Sequence, residues 1–475
     1  MHDTLTPPLR GTALPPQGDT ARLARWAANL RYEDIPEDVL SRVKITLLDT
    51  LGVSIAALDS PDAAALLSFV QAFPSGDACT LPGSGERCGP LPAALVWSTL
   101  SDVYEIQDGW RFGGIHASLV IGAALAVAEW KGATGRDLLT AIVVGYEVAH
   151  RVAWAVHPEH MGRGHMPNGT AGTVGSAAAA AWLLGLEEQS FAGALGAAGF
   201  LLPYATAETL WAGYSAKPLH TGWAARTGIE AALMAERGFY GCPLEGSETK
   251  GRGWLELAAS APRVDRLCEG LGTLWTIRDT YFKFYPICRQ AQSAAEAALT
   301  LAREERLDPT AISRVTVKTW ALSAEMLGRP IEPGAGRVAA QFSLPWIIAV
   351  TLTDAAIGTA QLSPERLNDT TVHALAKRVE VIADPELDAL YPGQTIARVS
   401  VEMADGTALV REVDMAKGDP RIGTSDAELL EKFEDLTAGV LPAEMQAKIK
   451  NIILSIETSK SLSPIMSVVP LALPL

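Results

Sequence analysis

Apolar residues recur at helical spacing over most of the first half of the chain, from Thr20 to about Trp275. Segments such as SLVIGAALAVAEWKGA and RDLLTAIVVGYEVAHRVAWAV show this periodicity, and breaks fall at GAT, GRGHMPNGT and GFYGCPLEG. Alanine and glycine are dense in these segments, and such small side chains let helices approach closely. The pattern predicts a compact bundle of helices.

The periodicity changes after Trp275. The segments RVTVKTW, KRVEVIAD and ARVSVEMADGTALVREVDM alternate apolar and polar residues, and Asp405-Gly406 in the last of them is a hairpin signal. The tail from Ser425, with Glu428 three residues later, resembles a capping box before another helix. We therefore predict a mainly α protein with an α+β insert. Its parts are a flexible lead (1–19), a large all-helical domain (20–275 and 421–475) and a smaller α+β domain (276–420).

The bulk composition narrows the class of protein. With 475 residues the chain can hold two or more cores, and no apolar run reaches the roughly 18 to 20 residues of a membrane span. The N-terminus lacks a basic-then-apolar leader, so a cytoplasmic location is expected. Five scattered cysteines argue against a disulfide framework or a structural zinc site.

Charge and motifs restrict the function further. The net charge of −15 disfavours nucleic acid and anionic membranes as partners, so an anionic substrate would need a locally basic pocket. The sequence contains no GxGxxG after a strand, no Walker loop and no GxSxG elbow. Nucleotide-dependent chemistry and serine hydrolysis therefore have no sequence support.

Two of four polar segments contain mixed charges beside predicted helix starts. The first holds Glu105, Asp108, Arg111 and His116, and it could be either a reactive loop or a capped loop with a solvated ion pair. The third has Lys217 and His220 around Pro218, where positive potential at a helix start would lower the pKa of lysine or histidine. Its structural alternative is a surface lysine with a packed histidine.

The second and fourth segments offer further candidates. His157, His160 and His165 could bind a metal, but no cysteine or HExxH spacing completes a zinc set, and a metal-free role for His165 is better supported. In the fourth segment Lys283 could be a desolvated base or a carboxylate clamp, and Tyr285 and Arg289 could bind substrate. Cys288, with a pKa lowered at a helix start, is a weaker nucleophile candidate. A simple hinge with packed aromatic rings is the alternative.

Read in order, these segments resemble the MmgE/PrpD family, which includes 2-methylcitrate dehydratase, cis-aconitate decarboxylase and iminodisuccinate epimerase. The similarity runs through LLDTLGVSIAAL, GYEVAHRV, GHMPNGTAGTVGSAAAAAWLLGL, AKPLHTGWAARTGIEAALMAERGFYG and KFYPICRQAQSAAEAAL. The resemblance implies an α+β lid on the helical domain, an active site in the cleft between them, and a homodimer. It implies these catalytic residues: Glu105, Asp108, His116, His165, Lys217 and Lys283.

The family also implies chemistry without a metal or an organic cofactor. We predict a lyase that removes a proton α to a carboxylate of a small di- or tricarboxylate and eliminates water or CO₂. His116 or His165 would transfer protons. The carboxylates and the developing enediolate would be bound by Lys217, His220, Lys283 and Arg111. For Lys217 we favour this carboxylate clamp over the role of base.

Two alternatives stay open. One is a two-base epimerase, and the other is a non-catalytic carboxylate-binding protein. The second arises because the chain departs from the usual family pattern at Gln107, Gly109 and Gln292; the family's usual His-Pro is also His116-Ala117 here.

Overall fold

The computed structural model describes residues 17–247 and 252–466. The predicted flexible lead, residues 1–19, lies outside the described residues except for its last three positions, and so do the last nine residues of the predicted helical tail.

Helices and two short hairpin strands make up the first part of the chain. The strands β1 (Cys79–Thr80) and β2 (Arg87–Cys88) pair antiparallel. The helices are α1 (Asp19–Asn29), α2 (Glu37–Ala56), α3 (Pro61–Gln71), α4 (Pro90–Val103), α5 (Ser118–Lys131), α6 (Gly135–Val156), α7 (Glu159–Gly162), α8 (Ala171–Leu183), α9 (Glu188–Leu201), α10 (Ala207–Trp211), α11 (Leu219–Glu236) and α12 (Trp254–Ala258).

Small residues set the spacing of this bundle. A Cβ atom at Gly175 of α8 would lie 2.6 Å from the carbonyl oxygen of Gly145 in α6, so α6 and α8 can cross this closely only with glycine there. The helix predicted near Pro218 is α11, with Pro218 as its N-terminal cap rather than within its first turn.

Helix α6 is long and apolar enough to cross a membrane, in contrast to the sequence-based expectation. Within residues 17–247 and 252–466, a second candidate exists only if two helices bent by 88° are counted as one span. In the most apolar window of α6, however, 94% of the residues are buried against the rest of the protein. The helix also carries the buried pair Glu147–Arg151, with 3.4 Å between the charged atoms. Helix α6 is therefore the central helix of the bundle.

A second core forms around a four-stranded sheet in the order β6-β5-β7-β8. Its strands are β5 (Ile312–Thr319), β6 (Val379–Ala383), β7 (Ala397–Met403) and β8 (Ala408–Val413). Strands β5 and β6 are parallel, whereas β7 pairs antiparallel with both β5 and β8. The helices of this part are α13 (Gln292–Glu305), α14 (Ala321–Leu327), α15 (Arg337–Gln341), α16 (Leu344–Asp354), α17 (Pro364–Leu367), α18 (Thr370–Ala376) and α19 (Pro385–Asp388).

The predicted hairpin at Asp405-Gly406 joins β7 to β8. Gly406 has a φ of 87°, and the Asp405 carboxylate accepts a hydrogen bond from the Thr407 amide at 2.9 Å. Left-handed backbone at this position favours glycine, which explains the turn.

The C-terminal helices return to the first core. They are α20 (Asp426–Thr437), α21 (Ala443–Leu454) and α22 (Ser463–Met466), and Ser425 with Glu428 forms the predicted capping box. Helix α20 packs on α2, where buried Lys432 contacts the Asp49 carboxylate at 2.6 Å and donates to the Ile106 carbonyl at 2.9 Å. The prediction of a mainly α fold with a smaller α+β part is confirmed, while the exact domain boundaries stay a prediction.

Candidate active site

A cavity lies where the two cores meet. Some residues of segments 105–116, 157–168 and 210–211 line it. So do some residues of segments 281–290, 326–342 and 391–395, together with Arg421. The first core supplies Glu105, Arg111 and His116, although Met166 and Leu210 pack into the second core.

A short strand pair joins the first and fourth polar segments at this cavity. Strand β3 (Asp108–Gly109) pairs antiparallel with β4 (Tyr281–Phe282), and Gly109 lies opposite Tyr281. A Cβ atom at position 109 would overlap the Tyr281 hydroxyl and lie 2.6 Å from His116 Cδ2. Glycine at this position therefore allows Tyr281 and His116 to meet.

Hydrogen bonds determine which nitrogen of His116 carries the proton. Gln107 Nε2 contacts an Asp102 carboxylate oxygen and lies 3.1 Å from His116 Nδ1. Because an amide nitrogen only donates, Nδ1 accepts and the ring proton lies on Nε2. His116 Nε2 then donates to the Tyr281 hydroxyl at 3.0 Å, so the phenol hydrogen points away from His116.

Burial keeps both members of this pair neutral. Burial and the Lys283 ammonium hold the pKa of His116 well below its ordinary value. Burial also raises the pKa of Tyr281 above that of a free phenol. At neutral pH the site therefore presents a neutral imidazole bonded to a protonated phenol.

Glu105 lines the cavity, and its carboxylate is bound by two lysines that do not line it. Its carboxylate contacts the Lys217 ammonium, and its Oε1 lies 2.7 Å from the Lys283 ammonium. Burial alone would raise the pKa of Glu105, but the two ammonium groups outweigh burial and lower it. Glu105 also has a φ of 56°, a left-handed conformation that costs a non-glycine residue about 1–3 kcal/mol. Glu105 is thus a permanently ionised group and a poor proton acceptor.

The lysines differ from the expectation drawn from the sequence. Neither Lys217 nor Lys283 lines the cavity, so each binds a carboxylate of the protein itself. Burial would lower the pKa of Lys217, but Asp102 (2.8 Å) and Glu105 outweigh burial and raise it; the prediction of a lowered pKa is wrong for this residue. For Lys283 burial prevails and the pKa is lowered.

His220 is also part of this buried cluster and not of the cavity lining. Its Nδ1 contacts the Lys217 carbonyl and lies 3.6 Å from the Asp102 carboxylate. Burial lowers its pKa. A substrate in the cavity would not reach His220 directly.

Three arginines line the cavity, and two of them pair with one carboxylate. Arg289 and Arg421 contact Asp419 at 2.9 and 2.7 Å, and Asp419 has no exposed side-chain area. Arg111 has a buried Nε atom with no hydrogen-bond partner among the described residues. Burial and the neighbouring charge of Arg421 lower the pKa of Arg111. Arg111, Arg289 and Arg421 together with Asp419 carry a net charge of about +2, which suits a ligand with two carboxylates.

The histidines of the second polar segment do not act together. His157 lines the cavity, and its buried Nδ1 has no partner among the described residues. Burial lowers the pKa of His157 to about 4, so its ring is neutral at pH 7. The rings of His160 and His165 stack at 5.0 Å, away from the cavity lining. Besides His157, the residues of this segment that line the cavity are Met161, Met166 and Asn168, whereas the predicted His165 does not line it.

Three further residues do not have the positions or charge states that their predicted roles require. Burial and the Asp49 carboxylate raise the pKa of Asp108 to about 7, but Asp108 does not line the cavity. Tyr285 does not line it either, and its carbonyl accepts from Gln292 at 2.8 Å. Cys288 does line it, but burial raises the pKa of its thiol to about 12, so the expected reactive thiolate is not supported.

Asp102, Glu105 and His116 bring potential metal-ligand atoms within 4.8 Å of one another. The Lys217 ammonium contacts both carboxylates, so a cation of the protein already lies between them. This donor set fits an ammonium group. The expectation of a reaction without a metal or an organic cofactor stays a prediction.

Several residues at the site were not identified from the sequence. Asp102 lies in the apolar helix α4, and Arg421 follows β8, far along the chain from the other arginines. Tyr281 begins the fourth polar segment, two residues before Lys283, but the sequence predicts no role for it, and it predicts His157 only as a possible metal ligand. Asn168 accepts a hydrogen bond from the His116 amide at 2.9 Å, a contact that its sequence motif alone does not reveal.

Comparison with known proteins agrees with this architecture. Residues 21–266 match the MmgE/PrpD N-terminal domain, and residues 285–458 match the MmgE/PrpD C-terminal domain. The chain is 27% identical over 479 residues to a cis-aconitate decarboxylase of Aspergillus terreus, covering 94% of this chain and 95% of that protein. It is 26% identical over 453 residues to a cis-aconitate decarboxylase of Homo sapiens, covering 92% of each chain.

A 2-methylcitrate dehydratase of Salmonella typhimurium is 25% identical over 455 residues, covering 90% of this chain and 91% of that protein. The two family matches together span most of the chain in the predicted order. The prediction of an MmgE/PrpD-type lyase is thereby confirmed. The chain belongs to the MmgE/PrpD family.

Proposed function

We propose that the protein removes a proton next to a carboxylate of a small di- or tricarboxylate and then eliminates water or CO₂, without a metal or an organic cofactor. The observation that carries this proposal is a single cavity with a cationic wall and a neutral imidazole–phenol pair. The related decarboxylases and dehydratase, by their names, act on acids of this class.

The arginine wall binds and orients the substrate. Asp419 holds Arg289 and Arg421 in place, while Arg111 offers an unpartnered Nε–H. Charge that develops on a carboxylate during proton removal becomes an enediolate, and fixed guanidinium groups stabilise it. Because these donors are already positioned, little reorganisation is needed during the reaction.

Proton transfer falls to two groups on the cavity surface. His157 has a free, neutral Nδ1 and serves as the base, since both ring nitrogens of His116 already have partners. Tyr281 serves as the acid: in dehydration it gives its phenol proton to the leaving hydroxyl group, while His157 keeps the proton taken from carbon. In decarboxylation the electron pair of the broken C–CO₂ bond takes up the Tyr281 proton, and His157 returns to the product the proton that it removed. His116 Nε2–H stabilises the phenolate that remains.

The test is turnover of candidate acids followed by proton NMR in D₂O, with citrate, 2-methylcitrate, cis-aconitate and iminodisuccinate. We expect elimination or decarboxylation of at least one acid, and a loss of about 10²-fold or more in rate for Tyr281→Phe. Arg111→Met should raise KM strongly, whereas Arg237→Met, a change in an exposed arginine of α11's C-terminal end, should not. No turnover of any acid would contradict the proposal.

A two-base epimerase is the second candidate. It is favoured by the presence of His157 and the His116–Tyr281 pair as separate proton carriers in one cavity. In the same NMR experiment, deuterium in recovered substrate without elimination products would favour epimerisation over the lyase reaction.

A homodimer in the cytoplasm belongs to the same proposal. Large apolar side chains are exposed between residues 200 and 239, among them Phe200, Tyr204, Tyr214, Trp223 and Phe239. Burial of such side chains in a subunit contact would be favourable. Sedimentation velocity should give twice the chain mass of 50.3 kDa, and a monomer at micromolar concentration would contradict this part.

A further inference from the structure

The active-site cavity continues outward into a second chamber. The two spaces share five lining residues: His157, Met161, Trp211, Met326 and Tyr391. The second chamber also has Leu322 in its wall, and exposed Glu208, Glu325 and Arg329 at its rim. A ligand that fills both chambers is therefore considerably longer than a four-carbon diacid.

The wall between the arginines and the rim is mainly apolar. Met161, Met166, Met326, Leu210 and Phe342 contribute to it, and methionine side chains adapt to apolar groups of different shapes. Charged side chains occur at the two ends, where Arg111 lies inside and Glu325 lies at the rim. This polarity is that of a site for an acid with a long apolar substituent.

An unsatisfied donor lies at the junction of the chambers. Trp211 lines both, and its buried indole N–H has no hydrogen-bond partner among the described residues. A buried donor without a partner costs about 1–3 kcal/mol, so a ligand acceptor at this point would recover that cost. A compact, fully polar acid bound at the arginines would leave both Trp211 and the methionine wall without contact.

We propose that the preferred substrate is a dicarboxylate with an apolar substituent of several carbons, bound with its carboxylates at the arginines and its substituent along Met161 and Met326 into the second chamber. The reaction performed on it rests on the proposed function, but the binding preference does not. A hydrogen-bond acceptor near the start of the substituent would meet Trp211.

Binding of non-reactive diacids tests this directly. Succinate and a series of 2-alkylsuccinates from methyl to hexyl would be titrated into the purified protein by calorimetry. Each buried CH₂ contributes about 0.8 kcal/mol, so affinity should rise about fourfold per methylene at most and level off when the second chamber is full. Affinity that stays constant or falls beyond methyl would overturn the proposal.

Variants locate the effect in the apolar wall. Met326→Gln and Met161→Gln should each reduce the gain per methylene while changing succinate affinity less than threefold. The matched control Met234→Gln, in an exposed methionine of α11, should keep the full chain-length dependence. Arg111→Met should weaken every member of the series by a similar factor. A chain-length dependence that survives both wall variants would also overturn the proposal.

The proposed binding preference and the proposed lyase function can fail independently of each other. If long-chain diacids bind tightly but no acid of any length is turned over, the binding preference stands and the lyase proposal fails. If short acids are turned over and chain length has no effect on affinity, the lyase proposal stands and this inference fails, since the second chamber is then only the entrance.

Discussion

The charge balance around Glu105 offers a demanding test of the site. The Lys217 ammonium contacts one carboxylate oxygen of Glu105, and the Lys283 ammonium contacts the other. Lys217 also contacts the Asp102 carboxylate. Lys283 is fully buried, and Glu105 is the one carboxylate paired with it in the described residues. Replacing Glu105 by glutamine therefore leaves a buried ammonium group without a counter-charge. We expect Glu105→Gln to destabilise the fold strongly.

The magnitude follows from the distance and the burial. Two unit charges 2.7 Å apart, as in the Lys283–Glu105 pair, attract by about 6 kcal/mol at an effective dielectric constant of about 20. Desolvation of both groups offsets part of that attraction, and removal of one partner from a buried pair costs about 3–5 kcal/mol. Glu105→Gln should lose this amount. Glu105→Gln/Lys283→Met should recover most of it, because no unpaired charge remains.

Urea unfolding at pH 7, followed by tryptophan fluorescence and circular dichroism together, measures these differences. Glu236→Gln, which removes the exposed pair with Arg237, is the control and should cost less than about 1 kcal/mol. A Glu105→Gln protein within about 1 kcal/mol of the parent would refute the reasoning. A double variant as unstable as the sum of its single variants would refute it as well, because the two groups would then not be coupled.

Three further predictions address the cavity and its support. Gly109→Ala should push Tyr281 away from His116, costing about 1–3 kcal/mol and lowering turnover; parental turnover would contradict the close approach. Because the pKa of Asp108 is raised to about 7, the native state binds the extra proton, and stability should fall as pH rises from about 4 to about 7, by up to roughly 4 kcal/mol. Asp108→Asn should flatten that slope in urea titrations across this range, and an unchanged slope would exclude Asp108 as its source. His157→Gln should lower turnover about 10²-fold while calorimetric binding of succinate changes little; equal losses in both would indicate a binding role instead.

Local sequence motifs are sufficient to identify some of the residues that line the cavity. Arg111, His116 and Arg289 each lie beside a recognisable helix start or phrase, and all three line the cavity. The helix periods and the β7–β8 hairpin were likewise evident, because amphipathic spacing and left-handed turn residues act over a few positions. Such signals need no knowledge of distant partners.

The charge states could not be predicted in the same way. Lys217 lies near a helix start, which suggested a lowered pKa, but the packing of α11 against α4 brings Asp102 within 2.8 Å and reverses the effect. Asp102 itself lies among apolar residues of α4 and carries no local sign of its partner. Ion pairs between residues more than a hundred positions apart depend on tertiary packing, so local sequence motifs do not predict the pKa shifts that they cause.

The second polar segment shows a different limit. Which of the residues His165, Met166 and Asn168 line the cavity depends on which side of one short loop faces it. Backbone bonds from Met166 to Ala205 and from Ala207 to Gly164 fix that direction. Ala205 lies just before α10 and Ala207 is the first residue of α10, so the direction of the loop depends on residues about 40 positions farther along the chain.

The contact of Lys432 with Ile106 has a consequence for the synthesis of the protein. The two residues are 326 positions apart, so at about 5–20 residues per second the ribosome needs roughly 16–65 s to add Lys432 after Ile106. During that interval Asp49 lacks its ammonium partner, and the loop that carries Glu105 lacks its C-terminal support. The growing chain therefore completes this site only after Lys432 has been added, and loss of α20 removes the support even when every cavity residue is present.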